Sequence, residues 1–137
     1  MDSFDFKHTL PPKEAFYILF ESTGWNTEHH LDQDRLFEAL SESQCMVSAY
    51  HNDTLVGFGR TISDGVLHAL IIDVIVLPEY QQKGIGREIM NRLMEYCRVR
   101  DIKDIQLFCA KGKAAFYEKL GFTRRPDDAP GMEIKNH

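Results

Sequence analysis

One stretch, Val74-Ile-Val-Leu-Pro-Glu-Tyr-Gln-Gln-Lys-Gly-Ile-Gly86, constrains this chain more than any other, because it runs an apolar strand into a glycine-rich turn and then into an amphipathic helix. Gly84 and Gly86 lack Cβ atoms, so the backbone can approach a ligand closely and take dihedrals that other residues resist. The helix that follows leaves its first N–H groups without internal partners, and the positive end of its dipole stands behind them. Strand, glycine turn and helix together make a cradle for a phosphate.

Two well-known nucleotide motifs fail here. A P-loop needs Gly-Lys-Ser/Thr, whereas Gly86 is followed by Arg87 and Glu88. A dinucleotide fingerprint needs a small residue three positions after its second glycine, and that position is Ile89.

Composition narrows the class further. The 137 residues suit one domain over 1–137. Twenty-one acidic against 16 basic residues give a formal charge of −5, which argues against a nucleic-acid partner. The same charge is mildly compatible with a cationic amine. Cys45, Cys97 and Cys109 are odd in number and irregularly spaced, so neither a disulfide framework nor a zinc site is expected. No signal-like segment opens the chain and no apolar run is long enough for a membrane span, so the expected setting is cytoplasmic, with no membrane.

Along the chain, Phe4 to Lys7 reads as a short strand, and Pro11-Pro12 introduces a helix carrying Ala15, Phe16, Leu19 and Phe20, with Gly24 at its end. A second helix is expected from Leu31 to Leu40. Met46 to Tyr50 and Leu55 to Thr61 read as strands around an Asn52-Asp53 turn. After Ser63-Asp64-Gly65 comes a strand from Leu67 to Leu77, apolar enough to be covered on both faces. Ile85, Ile89, Leu93 and Cys97 define the buried face of a helix from Gly86 to Arg100. A strand at Ile105 to Cys109, a helix at Lys113 to Leu120 and weak strands near Phe122 and Met132 to Ile134 complete the order. This is α/β, with a mixed sheet.

Gln81-Gln82-Lys83-Gly84-Ile85-Gly86 matches the Gln/Arg-x-x-Gly-x-Gly/Ala motif, and Phe-Tyr-Glu-Lys-Leu-Gly-Phe122 follows at the right distance. The pair resembles the acetyl-CoA-binding motifs of the GNAT family of N-acetyltransferases. The resemblance implies a single-domain GNAT-type fold with a mixed, mostly antiparallel sheet, splayed between its fourth and fifth strands and flanked by about four helices. It further implies acetyl-CoA as cosubstrate, held by Gln81, Gln82, Lys83, Gly84, Ile85, Gly86 and Arg87 at the pyrophosphate. Ile75 and Val76 would lie along the pantetheine arm, and Phe116 in the second motif. Val74 would offer its N–H to the acetyl carbonyl as an oxyanion donor, and Tyr117 would protonate the departing thiolate. No metal is implied; His29-His30 has no third ligand at a matching spacing.

The general base is less determined. Family positions that often hold a carboxylate are Leu70 and Ile72 here, and Asp73 is the substitute. Strand alternation points Asp73 to the opposite face unless a bulge intervenes, and a structural aspartate is the competing reading. His68, on the parity of Leu70 and Ile72, is a second candidate through water, against a plain exposed histidine. Ala110 stands where many relatives have asparagine, so Lys111 or Lys113 would replace a pantetheine contact. Arg124-Arg125 would meet a phosphate or form a solvated charge pair.

The acceptor pocket falls to the loop from Ser22 to His30, with Trp25 to stack on an amine and Glu28 to attract its ammonium. The C-terminal half looks closest to small serotonin- or arylalkylamine-type N-acetyltransferases, which suggests a small primary amine. A homodimer rests on the resemblance alone. The alternative is an acyl-CoA-binding sensor without turnover, which the presence of Tyr117 disfavours and the absence of an obvious base favours.

Overall fold

The computed structural model describes residues 3–136, and within them the expected alternation of strands and helices forms. Strands β1 (Phe4–Lys7), β2 (Cys45–His51), β3 (Thr54–Ser63), β4 (His68–Val76) and β5 (Asp104–Leu107) make one sheet in the order β1-β2-β3-β4-β5. The first three pairings are antiparallel, and β4 and β5 are parallel, so the sheet is mixed and mostly antiparallel. The helices are α1 (Lys13–Glu21), α2 (Gln33–Ala39), α3 (Ile85–Val99) and α4 (Ala114–Lys119), with short 3₁₀ turns at Trp25–Thr27, Leu40–Glu42 and Pro78–Tyr80. The chain divides into two compact units, one running to Gln106 and one from Leu107.

In the first unit the sheet is covered on both faces. Phe16, Leu19 and Phe20, spaced three and four residues apart on α1, join Leu36 and Leu40 over Leu55, Phe58 and Ile75 on one face. Phe16 meets Phe58 edge to face at 5.1 Å. Asp32 caps α2 by accepting from the Arg35 N–H at 2.9 Å, and Lys13 bridges the two helices to Asp34 at 2.7 Å. Helix α3 lies on the other face, burying Ile85, Ile89, Met90, Leu93 and Cys97.

Gly57 and Gly59 let α3 come this close. A Cβ at Gly57 would stand 3.0 Å from Ile85 Cγ2, and one at Gly59 only 2.7 Å from Ile89 Cγ2. Residues two apart on a strand share a face, so the pair opens a slot for one helix.

Tight turns connect the strands. Asn52 takes φ 56° in the β2–β3 turn. Asp64 accepts from the N–H groups of Val66, Leu67 and His68 between β3 and β4, which holds its carboxyl below the usual range. The Asp104 N–H donates to the Leu67 carbonyl at 2.7 Å, bringing the start of β5 to the start of β4.

The second unit, from Leu107 to the end of the described residues, holds α4 and the tail. The weak strands expected near Phe122 and Met132 to Ile134 do not form. Pro126 and Pro130 supply no N–H to a ladder, and Pro126 to Ala129 instead makes a turn closed by the Ala129 N–H on the Pro126 carbonyl at 2.9 Å. Gly131 packs on Phe108 so closely that a Cβ would fall 2.4 Å from its ring.

The cysteines make a first prediction. Cys109 is exposed, and Cys45 and Cys97 are buried. Burial, reinforced by the neighbouring Cys97, pushes the Cys45 thiol up from 9.0 to about 11. A thiol reagent at pH 8 should therefore titrate one cysteine quickly and two only on unfolding. An unfolded Cys45 loses its proton near 9.0 while the folded one keeps it to about 11, so this contribution to stability is present below pH 9 and is lost as pH rises through that window. Urea melts of the wild type and Cys45→Val over that range check the sign: the wild type should lose more.

Candidate active site

The glycine segment folds as a loop pinned at both ends. The Leu77 N–H donates to the Val56 carbonyl at 2.9 Å, Pro78–Tyr80 makes one 3₁₀ turn, and the Gln81 amide donates back to the Val76 carbonyl at 3.1 Å. Tyr80 meets His51 Nδ1 through its hydroxyl at 3.0 Å and packs edge-on to Phe4, which fixes the loop to β1 and β2.

Beyond this anchor the backbone turns left-handed twice, at Gln82 (φ 63°) and Gly84 (φ 86°), and Lys83 lies between them. Gly84 is the N-cap of α3, with no side chain capping the helix. The first helical hydrogen bond runs from the Glu88 N–H to the Gly84 carbonyl at 3.1 Å. The N–H groups of Ile85, Gly86 and Arg87 therefore precede the intrahelical ladder, at the positive end of a 15-residue helix. A Cβ at Gly84 would meet nothing within 4 Å, so open space lies beside the cap. Ile85 is buried against Gly57, which fixes their position relative to the sheet.

Strand β4 is irregular where its chemistry was expected. Phe58 pairs with Ile75 and Arg60 with Ile72, so Asp73 and Val74 together face the single residue Gly59. This is a β-bulge, and Asp73 sits in it at φ 55°, a conformation uncommon for a residue with a Cβ. The bulge overrides simple alternation. Arg60 shares its face with Ile72, and Asp73 reaches Arg60: the Nε–H donates to Oδ2 at 2.7 Å, with only 9% and 20% of the two side chains exposed. Val74 turns the other way, toward the α3 side of Gly59. The Asp73 carboxylate thus lies on the α1–α2 side of the sheet with Leu70 and Ile72, already engaged by a guanidinium.

Arg60 also donates from Nη1 to the Ala39 carbonyl at 3.1 Å and to Ser43 Oγ at 3.4 Å. His68 is exposed at the start of β4, with Nδ1 3.5 Å from Asp104.

In the loop expected to receive the acceptor, Trp25 stays partly exposed and edges onto Phe20. Asn26, which sequence reasoning passed over, organises that loop: its amide donates to Glu21 and to the Leu31 carbonyl, and its Oδ1 accepts from the Leu31 N–H at 2.9 Å. His30 takes φ 54°. Among the described residues no group of three or more His, Cys, Asp or Glu could hold a metal.

In the second unit, Tyr117 is half-buried on α4 between Phe116 and Phe122, in edge-on contacts at 5.0 and 6.1 Å. Burial, and after it the nearby Cys109 thiol, pushes the phenol above its ordinary value of 10.0. The hydroxyl therefore stays protonated at neutral pH. Arg124 lies 3.6 Å from Glu118, and Arg125 donates to the Ala129 carbonyl at 2.8 Å, so both arginines have partners within their own unit.

Comparison with known proteins gives this arrangement its class. A model of the acetyltransferase (GNAT) family matches residues 13–122. The uncharacterized N-acetyltransferase ycf52 of Pyropia yezoensis is 35% identical over 118 residues, covering 83% of this chain and 66% of its own length. A chloroplastic serotonin N-acetyltransferase 2 of Oryza sativa is 39% identical over 77 residues, covering 56% of this chain and 38% of its own. The chain thus spans less than two thirds of the length of these relatives. A crystal structure of a probable acetyltransferase from meticillin-resistant Staphylococcus aureus superposes with a TM-score of 0.86 at 26% identity, covering 98% of this chain and 100% of the other. The chain belongs to the GNAT acetyltransferase family.

Proposed function

We propose that this protein is an acetyl-CoA-dependent N-acetyltransferase that transfers the acetyl group to a primary amine of a small molecule by direct attack. The observation that carries the reading is the left-handed glycine cap of α3, which opens the amides of Ile85 to Arg87 beside a bulged β4. In this proposal residues 1–137 act as one acetyltransferase domain, and the family match runs through both units.

The N–H groups of Ile85, Gly86 and Arg87 and the Gln81 to Lys83 turn hold the pyrophosphate of acetyl-CoA. Backbone groups of Val74, Ile75 and Val76 pair with the pantetheine arm, and Phe116 lies along it. Val74 turns its N–H to the thioester carbonyl, where the oxyanion develops as the amine adds. One such donor is worth about 2.7–4 kcal/mol. Tyr117 supplies the proton that leaves with the thiolate, and the proton that the attacking nitrogen loses as the amide forms passes to water, from which the tyrosinate is reprotonated. Holding the two substrates in reacting geometry supplies about 7–11 kcal/mol.

Asp73, a candidate base with a structural aspartate as the competing reading, is ion-paired with Arg60, and in this scheme it shapes the bulge and does not take the ammonium proton. We therefore place the first deprotonation of the amine in solvent. Under this scheme kcat/KM rises with pH toward the amine's own pKa, and because burial raises the Tyr117 phenol above its ordinary 10.0, the midpoint of any falling limb lies above pH 10.

Trp25 and Glu28 border the acceptor. The likeness to a serotonin N-acetyltransferase supports an aralkylamine among small amines. A homodimer and a cytoplasmic setting stay in the proposal as the sequence-based expectations, although the rice relative's name places it in the chloroplast. No helix among the described residues is long and apolar enough to cross a membrane.

The test is thiol release from acetyl-CoA against aralkylamines, polyamines and amino sugars. Amine-dependent release with at least one class is the expected result. Clear binding of acetyl-CoA with no release under any amine would overturn the small-amine reading. Gly84→Val probes the cradle in the same assay: a β-branched residue at φ 86° is strained by about 1–2 kcal/mol, and acetyl-CoA affinity should fall about tenfold by calorimetry.

A further inference from the structure

We propose that Arg60 is a positioning residue for acetyl transfer: through its ion pair with Asp73 it fixes the β4 bulge that presents the Val74 N–H to the reacting carbonyl. The inference rests on the acetyl-transfer reading above.

A bulge can relax by returning its extra residue to the ladder, and Asp73 at φ 55° is a conformation the backbone leaves readily unless something holds it. Arg60 holds it from the neighbouring strand. The guanidinium is planar and its donors point in fixed directions, so one side can grip Asp73 Oδ2 at 2.7 Å while Nη1 reaches the Ala39 carbonyl at 3.1 Å and Ser43 Oγ at 3.4 Å. The bulge is thereby tied to the end of α2. On the opposite face Gly59, the residue the bulge confronts, packs under Ile89 and Leu93 of α3. The bulge is thus held by a charge on one face and by helix packing on the other. The cradle at the start of α3 is held by other contacts, Ile85 against Gly57 and the Leu77 and Tyr80 bonds that anchor its loop, none of which involves Arg60.

This division predicts separate consequences. Losing Arg60 should move the Val74 amide and leave the cradle in place, so kcat should suffer and acetyl-CoA binding should not. A displacement near 1 Å at a reacting centre costs about 10²-fold.

Three variants are compared: Arg60→Met, Arg60→Lys and the isosteric Asp73→Asn. Turnover is read with the best amine, acetyl-CoA affinity by calorimetry, and the Val74 and Gly86 backbone amides by ¹⁵N NMR with and without acetyl-CoA. Arg60→Met and Asp73→Asn should each lower kcat about 100-fold with affinity changed less than threefold, and the double variant should lose no more than either single one, since both break one unit. Arg60→Lys should recover part of the loss by restoring the charge. In the wild type acetyl-CoA should shift both amides; in Arg60→Met the Gly86 shift should persist and the Val74 shift should vanish.

Unchanged kcat in Arg60→Met, or a Val74 shift that survives the substitution, overturns the proposal. So does a loss confined to Asp73→Asn that disappears as pH rises, which would make Asp73 a base. If Arg60→Met does not fold, Arg60→Lys and Asp73→Asn carry the same readouts. If the wild type releases no thiol with any amine, the transfer reading fails, and the amide shifts still decide whether Arg60 governs Val74.

Discussion

Tyr117→Phe should lower amine-dependent thiol release by about 10²–10⁴-fold, the range for a lost general acid, while acetyl-CoA binds as before. The substitution removes only the hydroxyl. Phe in its place keeps the edge-on contacts with Phe116 and Phe122, so α4 retains its packing. What disappears is a proton held above its ordinary value of 10.0 by burial and by the Cys109 thiol. That proton matters when a thiolate must leave, because a protonated thiol returns to the carbonyl far less readily. Steady-state kinetics at pH 7.5, with calorimetry of acetyl-CoA on both proteins, separates the outcomes: equal affinity with slow turnover fits the acid, whereas unchanged turnover removes Tyr117 from the chemistry.

Gly59→Val should destabilise the first unit strongly. Its Cβ would fall 2.7 Å from Ile89 Cγ2 and 3.1 Å from Leu93 Cδ1, both on fully buried side chains. Neither can swing into solvent, so α3 must lift from the sheet. Overpacking of this kind costs about 1–3 kcal/mol, with values near the top expected where a whole helix moves. The melting temperature should drop by about 10 °C. Because the cradle is the first turn of the same helix, acetyl-CoA affinity should weaken with it. Gly57→Ala is the milder comparison, with contacts of 3.0 and 3.1 Å to the ends of Ile85 and Ile89. Equal stability of Gly59→Val and the wild type would contradict the packing described.

These two residues also mark the limit of what the sequence makes legible. The strand, glycine turn and helix around Val74 to Gly86 follow from local pattern alone, since apolar run, turn glycines and four-residue spacing each act over a few residues. The α4 motif is local in the same way, and it formed within a residue of its expected start. The bulge is not local. It arises where β3 and β4 disagree in register by one residue, and although Asp73 marks the place in the run from Ala69 to Leu77 where a bulge would matter, the run by itself does not say whether one forms. Arg60 could have been noticed, because a charged residue between Gly59 and Thr61 in a buried strand requires a partner. The second signal was Gly57 and Gly59 two apart, the spacing of a helix pressed onto one face. The tail misled in the opposite direction: Met132 and Ile134 alternate like a strand, yet they are exposed and follow two prolines.

The central claim is that an acetyl group moves from acetyl-CoA to an amine on this protein. Acetyl-CoA labelled with ¹³C in the acetyl group, mixed with the protein and the amine that best promotes thiol release, tests it by mass spectrometry of the amine. The account predicts one labelled amide for each thiol released, from the wild type and not from Tyr117→Phe on the same timescale. Thiol released without labelled amide would mean that water takes the acetyl group, and would contradict the claim.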